Sequence, residues 1–548
     1  MNYMEHYERW LNEAVIDDET KAEIRGLDKD EIEDRFYKTL EFGTGGLRGI
    51  MGAGTHRMNK YVIRQVTQGL AREILSYGED FKKSGVVIAH DSRNNSAEFA
   101  MESAKVLSAN GIKTYLFDSL RPTPELSFAV RHLGCARGIV VTASHNPKEY
   151  NGYKVYGEDG GQLPPASADK IIDYINEIDI FNDVKYTDMP DIITIGEDVD
   201  RAYVDAVKAQ SMGVNISDDF KVVYTPIHGS GNLLVRRVLD EIGVKNVFVV
   251  PEQEKPDGNF PTVISPNPEN SEAFTIAIKY AKEQNADIIF GTDPDSDRIG
   301  VVVRNAEGEY VVLNGNQTGS LLCEYILRKS QEKGALNGKR TIIKTIVTTE
   351  MVRAIADSFG VETMDVLTGF KFIGEKIKEF EAANEPDRYV FGFEESYGCL
   401  KGTYARDKDA VVAAMLVCEM AADYKAQGMT LYDGLVKLYE KYGFYLEGLK
   451  TITLTGIAGT EKIKEIMDTM RKNAPSEICG FKVKEMRDYE LGIDGLPKSN
   501  VLKFIFEDAW FAIRPSGTEP KIKLYAGVKS DSIEKSKEML NELLSYEV

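Results

Sequence analysis

The sequence predicts a multidomain α/β protein, because the same order of elements occurs three times along it. Residues 85–118, 220–250 and 340–367 each predict an apolar strand, a helix with apolar residues three and four positions apart, and a second strand. A chain of 548 residues is also too long for one hydrophobic core, so domains of roughly 100 to 200 residues are expected. Alternating strands and helices favour parallel sheets covered by helices, either in one large doubly wound fold or in repeated α/β domains.

The first unit shows this pattern clearly. "GVVIAHDSR" (85–93) predicts a short buried strand that ends in a polar loop, and "SAEFAMESAKVLSANG" (96–111) predicts a helix that Gly111 closes. The tail differs, because residues 451–456, 463–473 and 500–528 combine one helix with alternating strands, which is typical of an antiparallel α+β domain. From where these units end we predict domains at residues 1–205, 206–316, 317–440 and 441–548.

Composition and charge exclude several classes of protein. With 43% hydrophobic and 28% charged residues the chain is typical of globular proteins, and it has no apolar run of about 20 residues to cross a bilayer. The five cysteines form no Cys-x-x-Cys pair, which argues against a disulfide framework or a zinc site. The net charge of -20 repels nucleic acid and anionic membranes. We therefore expect a cytoplasmic protein without nucleic-acid or membrane partners, in which local positive groups hold any anionic ligand.

The loop "GTDPDSDRIG" (291–300) is the strongest candidate for a metal site. Asp293, Asp295 and Asp297 alternate after the apolar strand "ADIIF", so three carboxylates can face one hard divalent cation. An EF-hand loop counted from Asp293 would need Gly and Glu where the chain has Arg298 and Arg304. A solvated acidic turn is the other alternative, but ligands of α/β proteins gather at such strand ends. Three carboxylates leave open positions, which favours a catalytic Mg²⁺ that also contacts a phosphate.

Two glycine-containing loops are candidates for phosphate binding. "RPSGTEPKIKLY" (514–525) offers an arginine, two hydroxyl groups and backbone N–H donors around one glycine. "FGTGGLRG" (42–49) combines four glycines with Arg48 and lacks the Gly-Lys-Ser/Thr ending of a P-loop. Taken singly, the first is as compatible with a surface turn, and the second with a flexible connector.

The segment "YVFGFEESYG" (389–398) predicts a strand that ends in Glu394, Glu395 and Ser396. Carboxylate and hydroxyl groups at a strand end can bind the neighbouring hydroxyls of a sugar, although a polar turn has the same composition.

"TASHNPKEYNGYKVY" (142–156) places Ser144 beside His145, and three interpretations compete. A hydrolase nucleophile would lie in a Gly-x-Ser-x-Gly elbow, and both glycines are missing. A serine that caps a helix or starts a turn is the structural alternative. The third interpretation is a serine that carries a phosphoryl group beside the metal loop.

In this order, "FGTGGLRG", "TASHNP", "DPDSDR", "GFEESYG" and "RPSGTEP" resemble the motifs of the α-D-phosphohexomutases, the superfamily of phosphoglucomutase and phosphomannomutase. The resemblance covers nearly the whole chain, and five motifs in sequence are far more specific than any one of them. It implies four domains around a central cleft: three related α/β domains with mixed sheets, and a C-terminal α+β domain of the TATA-box-binding-protein-like kind.

The resemblance also implies a role for each motif. Ser144 corresponds to the serine that is phosphorylated, and His145 to a proton-transfer or positioning group. Asp293, Asp295 and Asp297 correspond to the ligands of one Mg²⁺, and phosphorylated Ser144 completes the coordination shell of that ion. The remaining candidates are Arg48 and the acid or base Lys371 for catalysis, Arg298 beside the metal, Glu394 and Ser396 for the sugar hydroxyls, and Arg514, Ser516, Gly517 and Thr518 for the phosphate that does not react.

The expected reaction interconverts glucose 1-phosphate and glucose 6-phosphate through a bound glucose 1,6-bisphosphate, which also serves as activator. Phosphomannomutase, phosphopentomutase and glucose 1,6-bisphosphate synthase activities are alternatives; Tyr397 stands where the phosphomannomutase motif typically has glycine, which favours glucose. A sugar-phosphate-binding regulator without catalysis and a metal-dependent phosphatase are rivals from other classes. We expect small-molecule sugar phosphates as partners, a monomer or weak dimer, and closure of the C-terminal domain over the cleft.

Overall fold

Four main sheets follow one another along the chain, together with one two-stranded hairpin. The structure is a computed structural model that describes residues 2–43, 45–454, 456–516 and 521–547. The three strand–helix–strand units predicted from the sequence occur in the first three sheets, one unit in each sheet.

The first sheet has six strands in the order β1-β5-β4-β2-β3-β6. β2 pairs in parallel with β3 and β4, whereas β5 runs antiparallel to both of its neighbours. The strands are β1 Gly46–Ile50, β2 Val86–His90, β3 Thr114–Phe117, β4 Arg137–Val141, β5 Tyr150–Tyr156 and β6 Ile193–Ile195. The helices are α1 Tyr3–Asn12, α2 Asp18–Arg25, α3 Lys29–Phe36, α4 Lys60–Ser76, α5 Glu79–Ser84, α6 Ser96–Ala109, α7 Thr123–His132, α8 Pro165–Asn176 and α9 Glu197–Lys208.

The second sheet has five strands in the order β11-β10-β9-β7-β8. β7 is parallel to β8 and β9, and β10 is antiparallel to β9 and β11. The strands are β7 Lys221–Thr225, β8 Asn246–Val249, β9 Ile288–Thr292, β10 Ile299–Arg304 and β11 Tyr310–Leu313. The helices are α10 Asn232–Glu241, α11 Pro251–Glu254 and α12 Thr275–Gln284.

The third sheet has four strands in the order β13-β12-β14-β15, with β12 parallel to β13 and β14. The strands are β12 Thr341–Thr345, β13 Glu362–Val366, β14 Tyr389–Phe393 and β15 Cys399–Leu400. The helices are α13 Gly315–Glu332, α14 Met351–Ser358, α15 Phe370–Ala382, α16 Ala410–Ala426 and α17 Leu431–Tyr442. α16 is buried along most of its length because its sequence is apolar on every face.

The C-terminal domain contains an antiparallel sheet in the order β16-β22-β21-β20-β19, as the tail of the sequence predicts. Its strands, with those of the hairpin, are β16 Phe444–Thr453, β17 Glu477–Ile478, β18 Phe481–Lys482, β19 Glu485–Asp488, β20 Leu502–Ile505, β21 Ala509–Pro515 and β22 Lys521–Ser530. The helices are α18 Gly456–Lys472 and α19 Ile533–Leu544. The likeness to the TATA-box-binding protein and the domain boundaries at 205, 316 and 440 stay predictions.

The apolar core is shared among the three α/β domains. One continuous cluster of buried side chains runs from Val87 in the first domain through Phe290 in the second to Phe393 in the third. The C-terminal domain has a core of its own and joins the third domain through a smaller cluster that contains Ile346 and Trp510. Within the described part of the chain, no helix is both long and apolar enough to cross a membrane.

Candidate active site

Ser144 lies just beyond the carboxyl end of β4, where the first domain meets the second. Its Oγ donates a hydrogen bond to Asp293 Oδ2 at 2.7 Å and lies 3.1 Å from His145 Nδ1. The side chain is only 3% exposed. Its backbone has a φ of 52°, in the left-handed region that residues other than glycine rarely adopt. The nucleophile candidate of one domain therefore contacts the acidic loop of the next.

Asp293, Asp295 and Asp297 follow β9 and form a buried cluster, in which one oxygen of each lies within 4.8 Å of the others. Asp295 Oδ1 and Asp297 Oδ1 are buried without a hydrogen-bond partner in the described structure. Buried carboxylate oxygens without donors are costly unless a cation binds them, and oxygen ligands suit a hard divalent cation. The residues present therefore fit a metal ion.

The pKa values of Asp293 and Asp295 are shifted in opposite directions. Burial and the charges of Asp295 and Asp297 raise the pKa of Asp293 well above its usual value. Burial acts in the same direction on Asp295, but the ammonium group of Lys154 outweighs it and holds the pKa of Asp295 below the usual range. The carboxylates of the cluster thus repel one another, and a bound cation would relieve that repulsion.

Two lysines that the sequence reasoning missed compensate this acidic charge. Lys154 on β5 donates to Asp295 Oδ2 at 2.9 Å, and Lys408 lies 3.1 Å from Asp297 Oδ2. Burial opposes the charged forms, but the neighbouring carboxylates outweigh it and raise the pKa of both lysines. The available signals were a lysine within the apolar strand "NGYKVY" and another between the aspartates of "RDKD".

The guanidinium groups of Arg48 and Arg298 lie near the imidazole of His145 in the serine loop. Arg48, on β1, donates to Asn146 Oδ1 at 3.2 Å. Arg298 forms an ion pair with Glu269 and lies 3.8 Å from Asp297 Oδ1. Burial and the two guanidinium groups lower the pKa of His145 well below its usual value, so its imidazole is neutral near pH 7. A neutral imidazole can accept a proton from a hydroxyl group.

The loop after β14 carries Glu394 and Ser396, and Glu394 lies near Lys408 and Arg298 of the same centre. Glu394 is 7% exposed, and its Oε1 accepts a hydrogen bond from the N–H of Gly369 at 2.9 Å. Burial raises the pKa of Glu394 to about 7, against the opposing charge of Lys408. The N–H of Ile299, at the start of β10, donates to the carbonyl of Tyr397 at 3.1 Å. This loop is therefore joined to the strand that follows the acidic cluster.

The predicted phosphate loop begins at the end of β21, which pairs with β22 inside the C-terminal sheet. Arg514 on β21 is half-buried and stands directly opposite Lys523 on β22, a residue that the sequence reasoning did not select. Burial and the charge of Arg514 lower the pKa of Lys523, while Glu395 opposes this shift. Like charges opposite each other on adjacent strands repel unless an anion lies between them. Ser516 is described and half-buried, whereas Gly517 and Thr518 lie outside the described residues.

Lys371 is the second residue of α15, and it lies near Arg514 of the phosphate loop. Its pKa is lowered by burial and by Arg514, with Glu375 opposing. The structure thus groups Lys371 with Arg514, and its predicted role as an acid or base stays a prediction.

A buried serine of one α/β domain that contacts the acidic loop of the next, in a chain of three α/β domains and one antiparallel domain, is typical of multidomain α/β enzymes. Four sequence models of phosphoglucomutase/phosphomannomutase match in order: α/β/α domain I at residues 39–181, domain II at 201–308, domain III at 314–442 and the C-terminal domain at 460–540. The chain therefore belongs to the phosphoglucomutase/phosphomannomutase family.

Individual relatives agree with this assignment. The chain is 38% identical over 532 residues to a phosphoglucomutase of Staphylococcus aureus (strain bovine RF122 / ET3-1), which covers 94% of each chain. It shares its fold with a family protein from Burkholderia thailandensis, with a TM-score of 0.68 and 20% identity over 92% of this chain and 97% of that one. The open form of parafusin, a phosphoglucomutase from Paramecium, has a TM-score of 0.68 and 17% identity, covering 93% of both chains. The predicted four-domain fold is confirmed.

Proposed function

We propose that this protein is a phosphoglucomutase that interconverts glucose 1-phosphate and glucose 6-phosphate. The observation that carries the proposal is the buried contact of 2.7 Å between Ser144 Oγ and Asp293 Oδ2. It brings the hydroxyl group of Ser144 against carboxylates that fit a metal ion, at a junction of two domains. Family membership and the 38% identity to a phosphoglucomutase support the same activity.

In the proposed cycle, a phosphoryl group on Ser144 moves to a free hydroxyl group of the bound sugar phosphate. The sugar oxygen forms the new P–O bond, the bond to Ser144 Oγ breaks, and the hydroxyl proton passes to a base. The resulting glucose 1,6-bisphosphate turns end for end, and Ser144 Oγ forms a bond to its other phosphorus atom. The bond from that phosphorus to the sugar oxygen breaks, and the sugar oxygen takes up a proton while Ser144 Oγ gives one up. The sugar phosphate leaves with its phosphate moved, and the phosphoserine is regenerated.

The reaction centre supplies charge and geometry for these transfers. Asp293, Asp295 and Asp297, with an oxygen of phosphorylated Ser144, would hold one Mg²⁺, which when bound offsets the negative charge of the transferring group. Lys154 and Lys408 pair with two of these aspartates and limit the net charge of the centre. His145 is assigned to proton transfer or positioning because its Nδ1 is 3.1 Å from Ser144 Oγ.

Recognition of the sugar phosphate involves the surrounding loops. We assign Glu394 and Ser396 to the sugar hydroxyls, and Arg48 and Arg298 to phosphate oxygens near the serine. The phosphate that does not react is assigned to Arg514, Ser516, Gly517 and Thr518, and to Lys523 because it stands opposite Arg514. Because the sugar turns over between transfers, these groups must bind a phosphate at either of its ends.

The test is a coupled assay of glucose 6-phosphate formation from glucose 1-phosphate, with glucose 1,6-bisphosphate and Mg²⁺ or EDTA. Ser144→Ala should lose at least about 10³-fold in turnover, because it removes the group that carries the phosphoryl. Ser103→Ala is the matched control, since Ser103 is buried in the same domain and its hydroxyl donates to the carbonyl of Phe99 within α6. Intact-mass analysis should find a phosphate on wild-type protein that Ser144→Ala lacks.

Several outcomes would refute the proposal. Turnover that persists in Ser144→Ala excludes the phosphoserine mechanism, free phosphate as the main product indicates a phosphatase, and binding without turnover indicates a regulator. Rates on mannose and ribose phosphates should lie below the rate on glucose phosphate; a much higher rate on ribose phosphate would instead indicate a phosphopentomutase. The cytoplasmic location, the monomer or weak dimer and the domain closure stay predictions.

A further inference from the structure

Both backbone groups of Ser144 are held by side chains that converge on Asp91. The N–H of Ser144 donates to Thr142 Oγ1 at 2.8 Å, and this hydroxyl donates to Asp91 Oδ2 at 2.6 Å. On the other side, the carbonyl of Ser144 accepts a hydrogen bond from Arg93 Nη2, and Arg93 pairs with Asp91 at 3.3 Å. Asp91, Arg93 and Thr142 form one buried group, which we call the serine clamp.

Arg93 extends this hold along the whole serine loop. Its guanidinium group also donates to the carbonyl oxygens of Asn146, Pro147 and Tyr150, and its side chain is fully buried. Four carbonyl groups are thus bound by one planar side chain with donors in fixed directions. A lysine could not reproduce this arrangement, because its donors diverge from a single nitrogen atom.

The serine clamp is also fixed against the second domain. The Arg93 guanidinium lies 5.1 Å from the centroid of the Phe260 ring, a contact between the two domains. Beside it, a Cβ on Gly258 would come within 2.3 Å of the N atom of Asn94, so the two backbones are in close contact. Ser265 Oγ donates to the carbonyl of His145 at 2.8 Å. The loop therefore has a defined position relative to the domain that carries the acidic cluster.

This arrangement explains how Ser144 keeps its left-handed backbone. A φ of 52° costs free energy in a residue with a Cβ, and such strain persists only where the surroundings over-determine the conformation. With the N–H and the carbonyl both fixed, the Cα–Cβ bond points toward the second domain, where Oγ meets Asp293. The strained backbone of Ser144 thus goes together with the direction in which its hydroxyl group points.

We infer that Asp91, Arg93 and Thr142 are positioning residues that orient Ser144 Oγ for phosphoryl transfer at the acidic cluster. The inference rests on the proposed mutase activity, and none of the three side chains needs to touch the sugar. A misplacement of the reacting oxygen by about 1 Å can cost on the order of 100-fold in rate while leaving ligand affinity intact. The effect should therefore appear in kcat rather than in KM.

Thr142→Val tests the inference with little change in volume, and Thr142→Ser restores the hydroxyl. In the coupled assay, Thr142→Val should lower kcat about 10- to 100-fold with KM within about threefold of wild type. Thr142→Ser should recover kcat to within about threefold. The matched control is Thr67→Val, because Thr67 is a buried threonine of the same domain whose hydroxyl contacts Ile63 and Tyr153, away from the serine loop.

A second readout does not depend on catalysis. Hydrogen exchange followed by mass spectrometry should show faster exchange in residues 142–150 of Thr142→Val than of Thr142→Ser or Thr67→Val. Unchanged kcat and unchanged exchange in Thr142→Val, equal impairment in Thr142→Ser, or a loss confined to KM would each overturn the inference. A wild-type protein without turnover contradicts the proposed function instead, and the exchange measurement still decides whether Thr142 holds the loop.

Discussion

The serine loop and the phosphate loop serve the same proposed reaction but are held very differently. Residues 144–150 lie between two domains, and one buried arginine binds four of their carbonyl groups. In the phosphate loop, the described residues Arg514 and Ser516 are only half-buried. Buried contacts are therefore concentrated at the proposed site of bond formation, and the described part of the proposed phosphate site is more exposed.

The serine loop and the phosphate loop also differ in how their charged side chains are paired. At the serine, Lys154 and Lys408 are already paired with Asp295 and Asp297. At the phosphate loop, Arg514 stands opposite another cation, Lys523. Changes at the serine centre should therefore affect kcat, and changes at the phosphate loop should affect KM.

The largest expected effect is at the acidic cluster. Asp297→Asn should lower kcat on the order of 10³-fold and raise the Mg²⁺ concentration needed for activity, because it removes a charged ligand. Lys408 would keep a carboxylate partner in Asp407, so the fold should survive. Asp219→Asn is the matched control, because Lys425 likewise retains Asp287. Equal Mg²⁺ dependence in both variants would contradict a metal site.

A smaller effect of a different kind is expected at the phosphate loop. Arg514→Ala should raise KM for glucose 1-phosphate about 10- to 100-fold with a lesser effect on kcat, because a charge-assisted phosphate contact is lost. Arg487→Ala, in the same sheet and paired with Glu485, should leave both constants near wild type. A fall in kcat at unchanged KM in Arg514→Ala would remove the contrast between the two loops.

The smallest expected effect is on stability, and it depends on how tightly residues pack beneath the acidic loop and in the C-terminal domain. A Cβ on Gly231 would come within 2.4 Å of Ser296 Oγ and 2.8 Å of Tyr224 Oη, beneath the acidic loop. Gly231→Ala should therefore lower the free energy of unfolding by about 2 kcal/mol. In the C-terminal domain, Gly448→Ala would meet the flexible ends of Leu544, at 2.6 Å, and Leu540, at 3.3 Å, and should cost less. Chemical denaturation of both variants measures the difference, and equal losses would contradict it.

The sequence predicted those parts of the site that are local in the chain. Three aspartates in one loop after an apolar strand indicate a cation site without any knowledge of the fold, and the adjacent Ser144 and His145 remain adjacent in space. Lys154 was missed because it reaches Asp295 across 141 residues of sequence. Arg93 was missed because a polar residue after a strand does not reveal that it turns inward.

Contacts between distant segments also limit what the sequence predicts about the sheets. Repeated strand–helix–strand units predicted parallel pairs, and these occur in all three α/β domains. Periodicity alone could not predict that β5 and β10 run antiparallel to their neighbours, because the direction of such strands is set by contacts between distant segments. The antiparallel C-terminal sheet was predictable because polar and apolar residues alternate along part of β16 and at the start of β22.

The apolar core shared by the three α/β domains has an evolutionary consequence. A recombination event that replaced one of these domains would create mismatched packing along the cluster that joins Val87, Phe290 and Phe393. The C-terminal domain has a separate core, so inherited variation and grafting between relatives meet a much smaller barrier there. Exchange between relatives is thus easiest for the last hundred or so residues of the chain, which carry the proposed phosphate loop rather than the proposed sugar loop.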